Sequence, residues 1–177
     1  TTLFPAPTRA RSRGESVQHQ LKIDNRQIQA GDGFLAWPGA ATDARAFVNA
    51  ALMSGASACL AEYNGSQAFE FTKEAQTKLA LYPNLKQDCG AIASLWYGQP
   101  SAHLDIAAVT GTNGKTSIAW WVAHAMQALG RPFGLVGTLG VGPVNALVST
   151  GLTSPDPVRL QESLAAMQAA ALSGCVM

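Results

Sequence analysis

The feature that most constrains this chain is the stretch at 108–117, AVTGTNGKTS. An apolar run, DIAAVTG, leads into it and reads as a buried strand. After it, Ile118, Trp121, Val122, Ala125 and Leu129 recur at helical spacing, with Gly130 and Arg131–Pro132 as stop signals. Between strand and helix sit Gly111 and Gly114, which let the backbone turn tightly and aim its N–H groups inward. Together with the helix N-terminus, those groups form a nest for phosphate oxygens. The long pattern G-x-x-x-x-G-K-[ST] fails, because Val109 stands where its first glycine belongs. Val109 instead belongs to the incoming strand, and the nest starts at Gly111. The change removes one turn residue but neither the donors nor the charge. The loop is then Gly111, Thr112, Asn113, Gly114, Lys115, Thr116 and Ser117. Lys115 brings a point charge to the β/γ-phosphates, and Thr116 offers a hydroxyl to Mg²⁺. The plainer alternative is a glycine turn before a helix that happens to carry Lys-Thr.

The 177 residues allow one ordinary domain or two small ones, and 47% hydrophobic content fits a real core. With 13% charged residues and a net charge of +1, the chain has no field for nucleic acid or a membrane surface. Cys59, Cys89 and Cys175 lie far apart, match no metal spacing and cannot all pair, which suits a reducing compartment. No apolar run reaches the roughly 18 residues of a spanning helix. The opening TTLFPAPTRARSRGES has arginines but no apolar core, so it reads as a solvated lead-in or a transit peptide, not a secretory signal. At the other end, LSGCVM turns at Gly174 into a strand-like run that stops at Met177, which suggests a piece of a longer protein.

The first half alternates short strands and helices. HQLKIDNRQ alternates through Leu21 and Ile23, and Phe34–Trp37 is an apolar run between turn signals. Asp43 can cap a helix with Phe47, Ala50, Ala51 and Ser54 on one face, and ASACLAE follows as a buried strand. Residues 64–87 are polar and weakly periodic. A helix from about Asp88 to Trp96 would align Cys89, Ile92, Ala93 and Trp96. YGQPSAHLD is the best linker, giving domains of residues 1–103 and 104–177. In the second, FGLVGTLGVG reads as one strand and TSPDPVRLQESLAAMQAA as a helix capped by Thr153 or Ser154. Strand, loop, helix, strand, helix, strand opens a parallel sheet, so the fold class is α/β. Asp24 and Arg26 read as a surface pair, and His19, His103 and His124 as packing or solvent histidines without a second ligand at metal spacing.

Taken in order, IDNRQIQAGDGFLAWPGAATDARAF, YGQPSAHLDIAAVTGTNGKTS, GLVGTLG and LTSPD resemble the Mur ligases, and GTLG followed by TSPD is most similar to their MurE type. The resemblance implies a small N-terminal uridine-binding domain followed by the start of a P-loop central domain. It implies ATP and Mg²⁺ as cofactors, with Gly111 to Ser117 as the ATP loop, Lys115 catalytic and Thr116 on magnesium. Ile23, Asn25, Ala40, Ala41 and Thr42 match positions that hold the uridine nucleotide, and Thr153 and Ser154 match a pair on the sugar-peptide. The implied substrates are UDP-N-acetylmuramoyl-dipeptide and a diamino acid, diaminopimelate or lysine, joined through an acyl phosphate. A full-length protein that is monomeric, in the bacterial cytoplasm and without nucleic-acid or membrane partners, is the implied setting. Asn25 stands where the family usually has Ser, Ala44 where it has Gly, and TSPD replaces T-T-P-D. The family's acidic metal ligand and modified lysine would follow Met177, so the 177 residues alone are expected not to turn over. A MurF-type ligase, folylpolyglutamate synthase or a non-catalytic nucleotide-binding module are the alternatives.

Overall fold

A computed structural model of the chain describes residues 19–151 and 153–177. The arginine-bearing lead-in and Leu152 lie outside the described residues. The chain divides into two compact units, Thr1–Trp96 and Tyr97–Met177, the second opening on the first residue of YGQPSAHLD.

The first unit is a four-stranded parallel sheet in sequence order: β1 (Leu21–Lys22), β2 (Gly33–Ala36), β3 (Ala58–Glu62) and β4 (Leu79–Tyr82). Its helices are α1 (Val48–Met53), α2 (Lys73–Lys78) and α3 (Leu85–Trp96). Side chains alternate across a strand. Phe34 and Ala36 of β2 therefore share one face with Cys59 and Ala61 of β3, and there they pack against Val48 and Ala51 of α1. Gly33 lies on the opposite face, where an added Cβ would come within 3.0 Å of the Trp96 ring at the end of α3. Small residues at Ala36, Ala51, Ala56 and Ala61 let helix and sheet approach closely.

Several expectations shift here. Ile23 falls outside the two-residue β1, because Asp24 caps a 3₁₀ turn over Asn25–Gln27 by accepting from the Arg26 N–H at 3.0 Å. The Asp24–Arg26 pair is at the surface as expected, 2.8 Å apart. Asp43 does cap, but its first turn, Ala44–Phe47, is 3₁₀. The tighter winding changes the phase, so Val48 and Ala51 are buried while Phe47, Ala50 and Ser54 are exposed. The helix placed near Asp88 begins at Leu85; Cys89, Ala93 and Trp96 are buried and Ile92 is half-buried. Strand β4 lies within the polar, weakly periodic stretch and half-exposed at the sheet edge, which is why periodicity missed it.

The second unit is a sheet of β5 (Asp105–Ala107), β8 (Gly174–Val176), β6 (Phe133–Gly137) and β7 (Gly140–Pro143), in that order, with α4 (Lys115–Ala128) and α5 (Pro157–Ala169). Strand β8 runs parallel between β5 and β6, while β7 returns antiparallel to β6. FGLVGTLGVG is therefore a hairpin, not one strand: Thr138 and Leu139 form its tip and Gly140 has a φ of 135°. Gly174 is inside β8, and the turn before it falls at Ala171, with a φ of 56°. A Cβ on Gly174 would sit 2.4 Å from the Asp105 carbonyl and 2.5 Å from the Phe133 ring, so only glycine lets β8 slot between its neighbours.

Two burial expectations fail. Among the described residues strand β5 has a neighbour on one side only, and Asp105 and Ile106 are exposed. On α4 the face against the sheet is Ala119 and Ala123, flanked by Val122 and Met126, whereas Ile118, Trp121, Ala125 and Leu129 are exposed. Gly130, with a φ of 75°, does end that helix; the Arg131 N–H bonds to the Met126 carbonyl at 3.0 Å.

Candidate nucleotide and substrate site

The glycine loop is anchored by the sheet. The Met177 N–H donates to the Ala107 carbonyl at 2.9 Å, and the Val109 N–H donates to the Met177 carbonyl at 2.6 Å. Hydrogen bonding therefore continues past Ala107, the last residue of β5; Val109 lies just outside the strand it was expected to belong to, but is tied to Met177. Beyond it the chain turns at Gly111 (φ 151°) and Gly114 (φ 79°), the second in the left-handed region that favours glycine. Gly114 is the N-cap of α4 and provides no capping side chain, so no side chain competes for the first N–H groups of the helix. The Lys115 ammonium donates to the Gly111 carbonyl at 2.5 Å and to the Thr112 carbonyl at 3.4 Å, holding a positive charge across the loop. Gly111 to Gly114 and Ser117 are exposed; Lys115 and Thr116 are half-buried.

A cavity of about 330 Å³ opens beside this loop. Its polar lining is Lys115, Thr116, Thr138, Thr153 and Ser154, over an apolar floor that includes Val109, Leu135 and Met177. Thus the lysine and threonine of the loop and the Thr153–Ser154 pair, far apart in sequence, share one cavity. Thr153 and Ser154 are not the helix cap. That role belongs to Asp156, whose carboxylate accepts from Val158 and Arg159 N–H groups at 3.0 Å each, with Pro157 in the first helical position. Thr138 had no role in the sequence reading. The signal for it was the GLVGTLG string, whose hairpin tip the cavity uses.

In the first unit, the other sequence-selected residues leave the carboxyl ends of adjacent parallel strands. Ile23 and Asn25 follow β1, and Ala40, Ala41 and Thr42 follow β2, so both groups emerge from one edge of the sheet. Ile23 and Asn25 are half-buried; Ala40 to Thr42 are exposed. The latter form a tight turn, closed by the Gly39 N–H on the Thr42 carbonyl at 3.0 Å and by a bridge between Pro38 and Asp43.

Beneath that turn lies a charged cluster that the sequence reading did not find. The Arg45 guanidinium is buried, pairs with Asp43 at 2.6 Å and lies 4.7 Å from the centroid of the Phe69 ring. The hydrogen bond from Arg45 holds the Asp43 carboxyl below its ordinary range. Buried Glu62 accepts N–H groups from Asn64, Asn84 and Leu85 at 3.1, 3.2 and 2.8 Å. Burial opposes its charge, but the three donors and Arg45 together hold its pKa below the ordinary value. Cys59 and Cys175 are buried, which pushes each thiol up to about 12 and leaves no reactive thiolate at neutral pH. His124 lies against Trp120, their rings 4.3 Å apart. Among the described residues no group of three His, Cys, Asp or Glu could hold a metal, and no helix is long and apolar enough to cross a membrane.

Residues 109–177 match the Mur ligase middle domain. The whole chain is 47% identical to a UDP-N-acetylmuramoyl-L-alanyl-D-glutamate--2,6-diaminopimelate ligase of Acidovorax sp. (strain JS42), covering 36% of that protein. A solved structure of a ligase of the same description superposes over 89% of this chain and 31% of its own, with a TM-score of 0.69 and 26% identity. A MurF ligase from Thermotoga maritima, solved with ADP, shares the fold over 69% of this chain and 26% of its own, with a TM-score of 0.53 and 19% identity. The chain thus spans about a third of the length of the relatives it matches. The match to the Mur ligase middle domain and the 47% identity along the whole chain together show that it belongs to the Mur ligase family.

Proposed function

We propose that this chain supplies the uridine-nucleotide unit and the phosphate-binding part of a MurE-type ligase, a bacterial cytoplasmic enzyme that joins diaminopimelate to UDP-N-acetylmuramoyl-L-alanyl-D-glutamate. The observation that carries the reading is the cavity shared by Lys115, Thr116, Thr153 and Ser154. It puts a phosphate-type cation and hydroxyl beside two hydroxyls suited to a polar substrate. Diaminopimelate is the amino acid in the names of the relatives, and the residues proposed here stand at the family's motif positions.

The residues fit ATP and Mg²⁺. The uncapped N–H groups of α4 and the Lys115 ammonium suit the β- and γ-phosphates. Thr116 supplies a single hydroxyl, which suits magnesium because that ion keeps several waters and takes further oxygens from phosphates. The bound nucleotide would supply the phosphoryl group that activates the D-glutamate carboxylate for attack by the incoming amine. The chain's own part is positioning and charge neutralisation, which dominate phosphoryl transfer. In this role Lys115 leaves the Gly111 and Thr112 carbonyls for phosphate oxygens, Thr153 and Ser154 orient the peptide end, and Ile23, Asn25 and Ala40 to Thr42 hold the uridine end. A full-length enzyme that is monomeric and without nucleic-acid or membrane partners completes the proposal.

Calorimetry on the 177-residue chain tests this reading. Mg-ADP and UDP-N-acetylmuramoyl-L-alanyl-D-glutamate are each expected to bind. Lys115→Ala is expected to weaken Mg-ADP by about ten- to a hundredfold, the scale of a hydrogen-bonded charge, and to leave the fold intact. Failure of both ligands to bind the unaltered chain would sink the proposal.

A further inference from the structure

The turn at 39–42 is exposed, with no side chain in the core, so polar contacts hold its shape. Two close it from within: the Gly39–Thr42 hydrogen bond and the Pro38–Asp43 bridge. A third comes from below. Nε and Nη2 of Arg45 grip the Asp43 carboxylate at 3.0 and 2.6 Å, and Asp43 also accepts the Arg45 N–H at 3.0 Å. The remaining nitrogen, Nη1, donates to the carbonyls of Glu62 at 3.4 Å and Asn64 at 2.5 Å, at the carboxyl end of β3. One side chain therefore fastens the segment after β2 to the segment after β3, while Phe69 covers its plane.

Stability alone does not require such a device. A buried ion pair is often replaceable by apolar side chains at no loss, because desolvation offsets most of the attraction. What an apolar replacement cannot do is fix direction, and Arg45 uses a planar fork on one side and two carbonyls on the other. We propose that Arg45 is the positioning residue of the uridine-nucleotide site, holding the 39–42 turn in its binding shape through Asp43. The proposal rests on the uridine reading given above. Without the clamp the turn samples other shapes, and apparent affinity falls by the fraction that remains competent.

The test uses the 177-residue chain with UDP-N-acetylmuramoyl-L-alanyl-D-glutamate as titrant, together with Arg45→Met and Arg45→Lys. Both variants are expected to bind it at least about tenfold more weakly, the scale of re-ordering one or two backbone residues. Mg-ADP affinity and the circular dichroism spectrum should stay unchanged, and amide exchange at 39–44 should quicken. A merely structural role would lower the melting temperature without moving affinity well below it. Folded variants that bind the titrant as the unaltered chain does would overturn the proposal. If Arg45→Met does not fold, Arg45→Lys decides, since it keeps the charge and loses the fork. If the unaltered chain binds no uridine nucleotide, the functional reading fails, yet unchanged exchange at 39–44 in Arg45→Lys would still refute the clamp by itself.

Discussion

Hydroxyls at a strand-to-helix junction can serve the helix or a ligand, and Thr153 and Ser154 separate the two roles. Because Asp156 accepts both N–H bonds of the cap, the helix does not need them. Asp156→Ala should cost about 1 kcal/mol, the usual worth of an N-cap. Ser154→Ala should stay within about 0.5 kcal/mol by urea denaturation, as surface changes do, while weakening the uridine-dipeptide ligand. Equal destabilisation by the two variants would return Ser154 to a capping role. At the same scale Glu62 predicts an acid limit. Its folded pKa lies below the ordinary 4.5, so its contribution is complete above that value and is lost as pH falls through the depressed one. Urea midpoints of the unaltered chain should therefore drop below about pH 4.5, and Glu62→Gln should flatten that drop. The loop lysine and its neighbours were legible in sequence because strand, glycine and helix signals coincide within ten residues. Arg45 was not, because its partners at 62, 64 and 69 are brought to it only by the β2–β3 pairing.

Helix α4 shows where reading an element by its large side chains goes astray. Its bulky apolar positions suggested the buried stripe, yet Trp121 is 67% and Leu129 is 74% exposed, and the sheet is met by Ala119 and Ala123. Close approach of a helix to a sheet selects small residues, and an alanine face carries little hydrophobic signal beside tryptophan and leucine. Two of the strands, β2 and β3, were easier to place. The apolar runs of β2 and β3 are bounded by turn residues, and their order in sequence is their order in the sheet. The insertion of β8 between β5 and β6 was not legible, since it depends on a glycine that fits only in the folded register. Substitution can separate the two faces of α4. Ala123→Leu should destabilise by about 1–3 kcal/mol through overpacking, and Trp121→Gln should change stability by less than about 0.5 kcal/mol. A larger cost for Trp121→Gln than for Ala123→Leu, measured by thermal unfolding, would contradict the assignment of faces.

For the molecule as a whole, the division into units at Tyr97 gives each candidate site its own core: Phe34, Val48 and Cys59 in the unit of the loops after β1 and β2, and Ala123, Leu135 and Val176 in the unit of the glycine loop. Any ligand that binds only the folded state stabilises what it touches, by about 2.7 kcal/mol at a hundred times its dissociation constant. Amide exchange reports that gain segment by segment. Mg-ADP should slow exchange at 109–118 and in β8, because Met177, the residue after β8, is bonded to Val109, and should leave β2 and β3 unchanged. UDP alone should protect 23–27 and 39–44, where the carboxyl ends of β1 and β2 emerge, and should leave α4 unchanged. UDP-N-acetylmuramoyl-L-alanyl-D-glutamate differs from UDP by the sugar and peptide, so protection that it adds beyond UDP at 138 and 153–154, which line the cavity of the second unit, tests the roles proposed for Thr153 and Ser154. Lys115→Ala should erase the first pattern and keep the second. Protection by UDP at the glycine loop instead of at 23–27 and 39–44 would reverse the assignment of nucleotides to units, and with it the roles given to Asn25 and Lys115.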